Sequence, residues 1–142
     1  MILPDVNVLI YAFRADTPHH PVCKPWLDEV IAGDARFGIS PLALAAVIRI
    51  TTQPRAFRQP SSVSEAFAYC NNLVRQPLCE VIEPSDRHWD IFERLCIETD
   101  TGGSRVTDAW FAALAIEHGC TWITFDRDYA RFDGLDWLEP GR

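Results

Sequence analysis

The chain has 142 residues, of which 48% are hydrophobic and 23% are charged. These values are typical of one globular domain and exclude a disordered, collagen-like or coiled-coil protein. The longest apolar stretch, residues 41–48, is far shorter than the ~20 residues that a membrane-spanning helix needs, and the first residues lack the basic segment of a signal peptide. Five cysteines form no C-x-x-C pair. We therefore expect free thiols in a reducing cytoplasm, no membrane association and a single domain over residues 1–142.

The formal net charge is −7, but the charges are distributed unevenly along the chain. Residues 35–64 contain four arginines and no acid, whereas residues 80–142 contain fourteen acids and six arginines, a local charge of −8. Twelve of the thirteen basic residues are arginine, the side chain suited to bidentate contacts with phosphate. This pattern fits an acidic metal pocket with a phosphate-binding rim, and it equally fits a basic surface for an acidic protein partner.

Short apolar runs alternate with helical patterns along the chain. The apolar runs predict five short strands, at residues 2–3, 36–39, 78–82, 121–125 and 135–138. Apolar residues at helical spacing predict six helices between them, at residues 7–13, 18–31, 42–51, 61–75, 85–97 and 108–118. Short strands that alternate with helices predict an α/β fold with a parallel sheet.

Several residues mark the ends of these helices. Ser40, followed by a proline, is a typical start for the third helix, whose Ala- and Leu-rich composition predicts a buried element. Ser62 and Glu65 have the spacing of a capping box at the start of the fourth helix. Thr107 is predicted to cap the last helix, and Gly119 is predicted to end it.

Three aspartates are predicted to meet at one edge of the sheet. Asp5 and Asp126 directly follow predicted strands, and Asp108 opens a helix that is reached from a glycine-containing loop. The carboxyl ends of parallel strands share one edge of a sheet, where ligands bind. Crowded carboxylates repel one another, and Mg²⁺ or Mn²⁺ would relieve this repulsion because both ions prefer oxygen ligands. The alternative is that each aspartate only caps a helix or closes a turn, and spacing alone leaves both readings open.

Five segments of the sequence together resemble a known family. They are residues 5–10, 49–54, 107–119, 124–132 and 135–137, which read DVNVLI, RITTQP, TDAWFAALAIEHG, TFDRDYARF and LDW. In this order the chain resembles PIN-domain proteins, specifically the VapC-type toxin ribonucleases of bacterial toxin–antitoxin pairs. The resemblance implies a PIN-like α/β fold, in which helices flank a short central parallel sheet of four to five strands.

The resemblance also implies roles for individual residues. The family's catalytic acids, which are its metal ligands, carry over to Asp5, Asp108 and Asp126, with Mg²⁺ or Mn²⁺ as the ion. Polar neighbours of these acids in the family carry over to three auxiliary positions, Asn7, Thr124 and Asp128.

The resemblance further implies an activity and partners. The expected reaction is hydrolysis of RNA phosphodiesters, and the expected partners are an RNA substrate, a small VapB-like antitoxin and a second copy of the chain in a homodimer. With a phosphate-cleaving pocket nearby, the arginines of the basic segment become candidate RNA contacts, namely Arg49, Arg55 and Arg58.

One position departs from the family pattern. Many PIN domains carry a glutamate three residues before the arginine that aligns with Arg49, whereas this chain has Ala46 there. We therefore expect three carboxylates instead of four, which leaves open whether one or two metal ions bind. The same departure sustains a second hypothesis, a catalytically weak PIN-fold module that binds RNA or protein.

A phosphoaspartyl protein, such as a receiver domain or a dehalogenase-type phosphatase, also has acids at strand ends. Both types need a lysine late in the chain to steady the phosphoryl group, and the only lysine here is Lys24. The dehalogenase type also needs an acid two residues after the first aspartate, where this chain has Asn7. These two differences exclude both types.

Overall fold

The structure, a computed structural model, describes all 142 residues. Its five strands are β1 (Ile2–Pro4), β2 (Phe37–Ile39), β3 (Cys79–Val81), β4 (Thr121–Ile123) and β5 (Trp137–Leu138). They form one sheet in the order β3-β2-β1-β4-β5, and every neighbouring pair is parallel. The predicted α/β fold with a short parallel sheet is therefore confirmed. Because all strands run the same way, the ends of β1 and β4 lie side by side.

Six α-helices flank the sheet. They are α1 (Val6–Phe13), α2 (His20–Ala32), α3 (Pro41–Thr51), α4 (Val63–Val74), α5 (His88–Glu98) and α6 (Val106–His118). Helix α1 packs against α2 and α3, α3 packs against α4, and α5 packs against α6. Two short 3₁₀ helices, Gly103–Arg105 and Arg127–Arg131, precede α6 and follow β4. None of the helices has the length and apolar character that crossing a membrane would require.

Side-chain caps mark the start of three of the six helices, and a glycine marks the end of one. The Asp5 side chain caps α1, and the Ser40 side chain caps α3 by accepting a hydrogen bond from a backbone N–H of the first turn. Ser62 and Glu65 form both hydrogen bonds of a capping box at the start of α4. Gly119 ends α6 with a φ of 64°, a left-handed conformation that favours glycine. The predicted caps at Ser40, Ser62 and Gly119 are confirmed.

The prediction that Thr107 caps α6 is wrong. The 3₁₀ helix Gly103–Arg105 runs directly into α6, so Arg105 occupies the cap position and makes no side-chain capping bond. Thr107 lies inside the first turn, where its backbone is already helical. Sequence reasoning misses this because a 3₁₀ turn has no strong residue signature of its own.

The prediction of a buried α3 holds for one face only. Ala43, Val47 and Thr51 are buried, at a spacing of four residues. Leu42 on the other side is 43% exposed, and Ala45 is also exposed. An Ala-rich helix carries too little contrast between its faces for the sequence to show which one is covered.

Apolar side chains from the sheet and the helices form a core of 26 buried residues. Leu3, Phe37 and Trp122, from three adjacent strands, are among the most buried side chains. Gly38 in β2 has no side chain because a Cβ atom there would lie 2.7 Å from a side-chain carbon of Ile82. All five cysteines are free, as predicted from the sequence. This packing fixes the sheet edge at which the candidate site lies.

Candidate active site

Asp5 connects the end of β1 to the start of α1. The residue is only 7% exposed, and both oxygens of its carboxylate accept hydrogen bonds. Oδ1 accepts a hydrogen bond of 2.6 Å from the backbone N–H of Val6, and Oδ2 accepts one of 2.6 Å from the hydroxyl of Thr124. The backbone N–H of Asp5 donates to the carbonyl of Ile123 at 2.9 Å. Asp5 is thus fixed by both strands that meet at this edge.

Thr124 positions two of the three aspartates at once. It is completely buried directly after β4, and its hydroxyl oxygen accepts a hydrogen bond of 3.0 Å from the backbone N–H of Asp126 while donating to Asp5. The Asp126 side chain in turn accepts a 2.9 Å hydrogen bond at Oδ1 from the backbone N–H of Asp128. The turn after β4 therefore holds Asp126 beside Asp5.

Asp108 reaches the same edge from the first turn of α6. The Tyr129 hydroxyl donates to its Oδ1 at 3.4 Å, and a guanidinium nitrogen of Arg131 lies 3.7 Å from its Oδ2. Sequence reasoning assigned no role to Tyr129 or Arg131. The available signal was their position in segment 124–132, where both follow Asp126 within a 3₁₀ turn.

The three aspartates line one cavity of about 210 Å³ at the carboxyl edge of the sheet. The cavity is also lined by Val6, Asn7, Ala46, Arg49, Ile50, Thr107, Phe111 and Tyr129. Ala46 thus faces the acidic cavity, where a glutamate at this position would add a fourth carboxylate. Arg49 is the only basic side chain in the lining, so it provides a positive charge on the rim.

Burial and repulsion from neighbouring carboxylates disfavour the charged forms of Asp5 and Asp108. The pKa of Asp5 is raised to about 6, mainly by burial and also by the nearby charges of Asp108 and Asp126, although the hydrogen bonds from Thr124 and Val6 act in the opposite direction. Burial and the charge of Asp126 also raise the pKa of Asp108, and Arg131 and Arg105 oppose that shift. A cation in this cavity would remove the repulsion that raises both pKa values.

The donor set suits a hard divalent cation. The three aspartates offer carboxylate oxygens, and no histidine or cysteine lines the cavity. These ligands match Mg²⁺ or Mn²⁺ better than zinc. As they stand, no three His, Cys, Asp or Glu side chains are close enough to hold one ion together. Mg²⁺ retains several water ligands and needs only one or two protein carboxylates, so the open arrangement of Asp5, Asp108 and Asp126 fits such an ion.

The remaining sequence-predicted residues lie in different places. Asn7 lines the cavity and is exposed. Asp128 lies outside the lining, where its carboxylate forms an ion pair with the Arg105 guanidinium that lowers the pKa of Asp128. Arg55 and Arg58 lie on an exposed loop between α3 and α4 and form no ion pair, and neither lines the acidic cavity.

Arg14, at the end of α1, holds this arginine-bearing loop in place. Its guanidinium donates to the Gln59 carbonyl at 2.6 Å and to the Ser61 hydroxyl at 2.8 Å. It also lies 4.4 Å from the ring centroid of Phe57 and pairs with Asp16. The loop is therefore attached to the first helix of the fold.

A parallel sheet with an acidic cavity at its carboxyl edge defines an α/β protein with a polar ligand site at its strand ends. Comparison with protein families identifies the family within this class, because the family model of the PIN domain matches residues 2–135. The chain belongs to the PIN-domain family and, within it, to the VapC group, as the resemblance of its motifs predicted.

Membership of the VapC group rests on relatives of nearly equal length. Ribonuclease VapC25 of Mycobacterium tuberculosis is 39% identical over 140 residues, which are 99% of each chain. Ribonuclease VapC31 of the same species is 38% identical over the same shares.

Solved structures share the fold at lower identity. VapBC2 from Rickettsia felis, bound to a DNA fragment from its promoter, has a TM-score of 0.72 at 16% identity and 99% coverage of both chains. A toxin–antitoxin complex from Klebsiella pneumoniae has a TM-score of 0.62 at 19% identity and 95% coverage of both chains.

The substitution Asp5→Asn tests the electrostatics of the cavity without metal. Because the pKa of Asp5 in the folded protein is about 6, above its ordinary value of 3.8, the folded state binds more protons between these values. The wild type therefore loses stability as pH rises through this window, and the neutral variant does not. In EDTA, the free energy of unfolding of the variant should rise by about 3 kcal/mol relative to the wild type between about pH 3 and pH 7, measured by urea unfolding.

Asp128→Asn is the matched control, with the opposite sign. Arg105 lowers the pKa of Asp128, so this carboxylate stabilises the fold at neutral pH and loses that effect as pH falls. The control should therefore lose stability relative to the wild type towards neutral pH. An Asp5→Asn variant whose stability follows the wild type at every pH would contradict the electrostatic account of the cavity.

Proposed function

We propose that this protein is a Mg²⁺- or Mn²⁺-dependent endoribonuclease of the VapC type. The observation that carries the proposal is the single cavity in which Asp5, Asp108 and Asp126 face Arg49. Relatives at 38–39% identity over almost the whole chain are named ribonucleases, which supports the same activity here. When bound, the metal ion supplies polarisation of a phosphoryl oxygen and a lowered pKa of a bound water.

The side chains of the cavity have separate roles in this proposal. Asp5 and Asp108 would hold the ion, and the hydrogen bonds from Thr124 and Val6 fix the orientation of the Asp5 carboxylate. Oδ2 of Asp126 accepts no hydrogen bond from the protein, so it is free to orient an attacking water. Arg49 on the rim binds a phosphate of the RNA.

Water is the nucleophile in this proposal. A covalent mechanism needs a nucleophile activated by an adjacent base. The only hydroxyl groups in the cavity lining belong to Thr107 and Tyr129, and the lining contains no Cys and no His or Lys that could act as the base. Attack by water on the phosphorus breaks the bond to the 3′ oxygen, which leaves with a proton, so the products carry a 5′-phosphate and a 3′-hydroxyl. Attack by the 2′-hydroxyl of the RNA would instead leave a cyclic 2′,3′-phosphate, so the ends of the products distinguish the two routes.

We also propose that a small VapB-like antitoxin, encoded beside this chain, neutralises the enzyme in the cytoplasm. An apolar groove of about 360 Å³ lies between α3 and α4, lined mainly by Leu44, Ala45, Ile48, Phe67 and Val74. Its dimensions and lining suit the apolar face of a partner helix. The toxin–antitoxin complex with the same fold supports a partner of this kind.

The homodimer is part of the same proposal. Helix α5 exposes two large apolar side chains, with Trp89 67% and Ile97 73% exposed. A second copy of the chain would cover these two side chains of one helix, because exposed apolar surface is characteristic of interaction sites. None of the residues that line the acidic cavity belongs to α5.

The main test of the proposed function is cleavage of structured RNA by the purified protein. Cleavage should require Mg²⁺ or Mn²⁺, stop in EDTA and leave 3′-hydroxyl ends. Asp108→Asn removes a charged ligand and should lower the rate more than about 100-fold. Asp133→Asn makes the same chemical change at an exposed position outside the cavity and should leave the rate unchanged. Full activity of Asp108→Asn, or activity that survives EDTA, would refute the metal-dependent mechanism. RNA binding without cleavage would instead favour the binding module.

The substitution Ala46→Glu tests the consequence of the missing acid. A fourth carboxylate in the cavity should tighten Mn²⁺ binding by about tenfold or more, since divalent affinity rises with the number of charged ligands. Without metal it should lower the melting temperature, because it adds repulsion among partly buried carboxylates. Ala45→Glu, on the exposed side of the same helix, is the control. If Ala46→Glu lowers the melting temperature equally with and without Mn²⁺, the position serves packing only.

The groove between α3 and α4 is tested with the product of the neighbouring gene. Phe67→Glu puts a charge into the groove and should weaken antitoxin binding at least about tenfold, while RNA cleavage is retained. Val63→Glu, an exposed apolar residue of the same helix outside the groove, is the control. Calorimetry of the two proteins gives the affinity. Equal affinity of wild type and Phe67→Glu would exclude the groove as the antitoxin site.

A further inference from the structure

Three aromatic rings form a cluster next to the acidic cavity. The His19 and Phe125 rings are stacked, with centroids 4.3 Å apart and planes at 20°. Tyr11 contacts both rings, at 5.0 Å from His19 and 6.0 Å from Phe125. Tyr11 and Phe125 are half-buried against the core, whereas His19 is exposed. Neither the proposed catalytic role of the aspartates nor the groove between α3 and α4 uses this cluster.

The local structure presents the His19 ring in a fixed position. His19 is the N-cap residue of α2, but its side chain makes no capping hydrogen bond and lies on Phe125 instead. The next residue, His20, makes a 2.7 Å hydrogen bond through Nδ1 with the backbone carbonyl of Tyr11. This bond ties the start of α2 to α1. A ligand that stacks on His19 would therefore meet a surface that needs little ordering.

The cluster is joined to the acidic cavity by the turn after β4. Phe125 lies between Thr124, which hydrogen-bonds to Asp5, and Asp126, which lines the cavity. Because Thr124 also accepts a hydrogen bond from the backbone of Asp126, the backbone on both sides of Phe125 is fixed. The stacked rings therefore keep a constant position relative to the aspartates.

On its other side, the cluster adjoins the arginine-bearing loop. Pro18, next to His19, lines a separate cleft together with Asp16 and Arg58. Asp16 is already paired with Arg14, whereas Arg58 has no carboxylate partner and remains available for a phosphate. Through Pro18 on one side and Phe125 on the other, His19 connects the cleft of Arg58 with the turn that carries Asp126.

We propose that the stacked His19–Phe125 pair is a binding platform for one unpaired RNA base beside the phosphodiester that is cleaved. This inference rests on the proposed function and adds a substrate subsite to it. Every base has a π-face that can stack on an aromatic ring, and proteins read structured RNA mainly at unpaired bases. In this arrangement Arg58 binds the RNA backbone and the aspartates of the acidic cavity carry out cleavage. The exposed His19 ring stacks on the base that lies between these two contacts.

The test measures binding in EDTA, so no cleavage occurs. Two probes of equal length are compared, a short oligoadenylate and the same ribose-phosphate backbone without bases. The dissociation constant of the base-free probe divided by that of the oligoadenylate reports the contribution of base stacking alone. His19→Ala should reduce this ratio by about 5- to 100-fold, the range expected for one stacked base, and His19→Trp should restore it.

Two control variants separate stacking from other effects. Arg58→Ala should weaken both probes alike, because it removes a phosphate contact. His118→Ala makes the same side-chain change at the end of α6, at the opposite edge of the sheet, and should leave the ratio unchanged.

Three results would overturn the platform. They are an unchanged ratio in His19→Ala, no preference of the wild type for the base-bearing probe, and a loss confined to antitoxin affinity, which would identify a protein-binding surface. Because binding is measured without divalent metal, its outcome is independent of whether the wild type cleaves RNA. The proposed function can therefore fail or hold separately from this subsite.

Discussion

The hydrogen bond between Asp5 and Thr124 connects two parts of the chain that are 119 residues apart. It joins the ends of the adjacent strands β1 and β4, where the backbone leaves the sheet. The same hydroxyl holds the backbone of Asp126, and the same carboxylate caps α1. The acidic cavity therefore depends on one buried threonine, and the carboxylate is costly to bury unless this partner satisfies it.

That the three aspartates would meet was predictable because the rule behind the prediction is topological. Parallel strands bring their carboxyl ends to one edge, so Asp5 and Asp126 had to lie close together once β1 and β4 were neighbours. The β1–β4 neighbourhood itself is a long-range contact that no local pattern shows. The sequence analysis made no prediction of the strand order, and the structure shows the parallel pairing of the two strands.

The side-chain contacts around the aspartates could not be predicted from the sequence. Tyr129 and Arg131 approach Asp108 only because a 3₁₀ turn after β4 directs them back towards α6. The same turn directs Asp128 outward to Arg105, so two acids that are two residues apart differ in surroundings. Side-chain direction in such a turn depends on a few backbone angles, whereas a strand would have placed Asp126 and Asp128 on one face.

The attachment of the loop between α3 and α4 by Arg14 has a consequence for how the protein is degraded. By composition this loop is a target for proteases, since it is exposed and carries Arg55 and Arg58, which trypsin-like enzymes recognise. A protease must draw several residues of extended backbone into its active site. Arg14 holds the end of the loop through the Gln59 carbonyl and the Ser61 hydroxyl, so that segment must first detach from α1. Nicking at this loop is then governed by the free energy of a local opening and not by exposure alone.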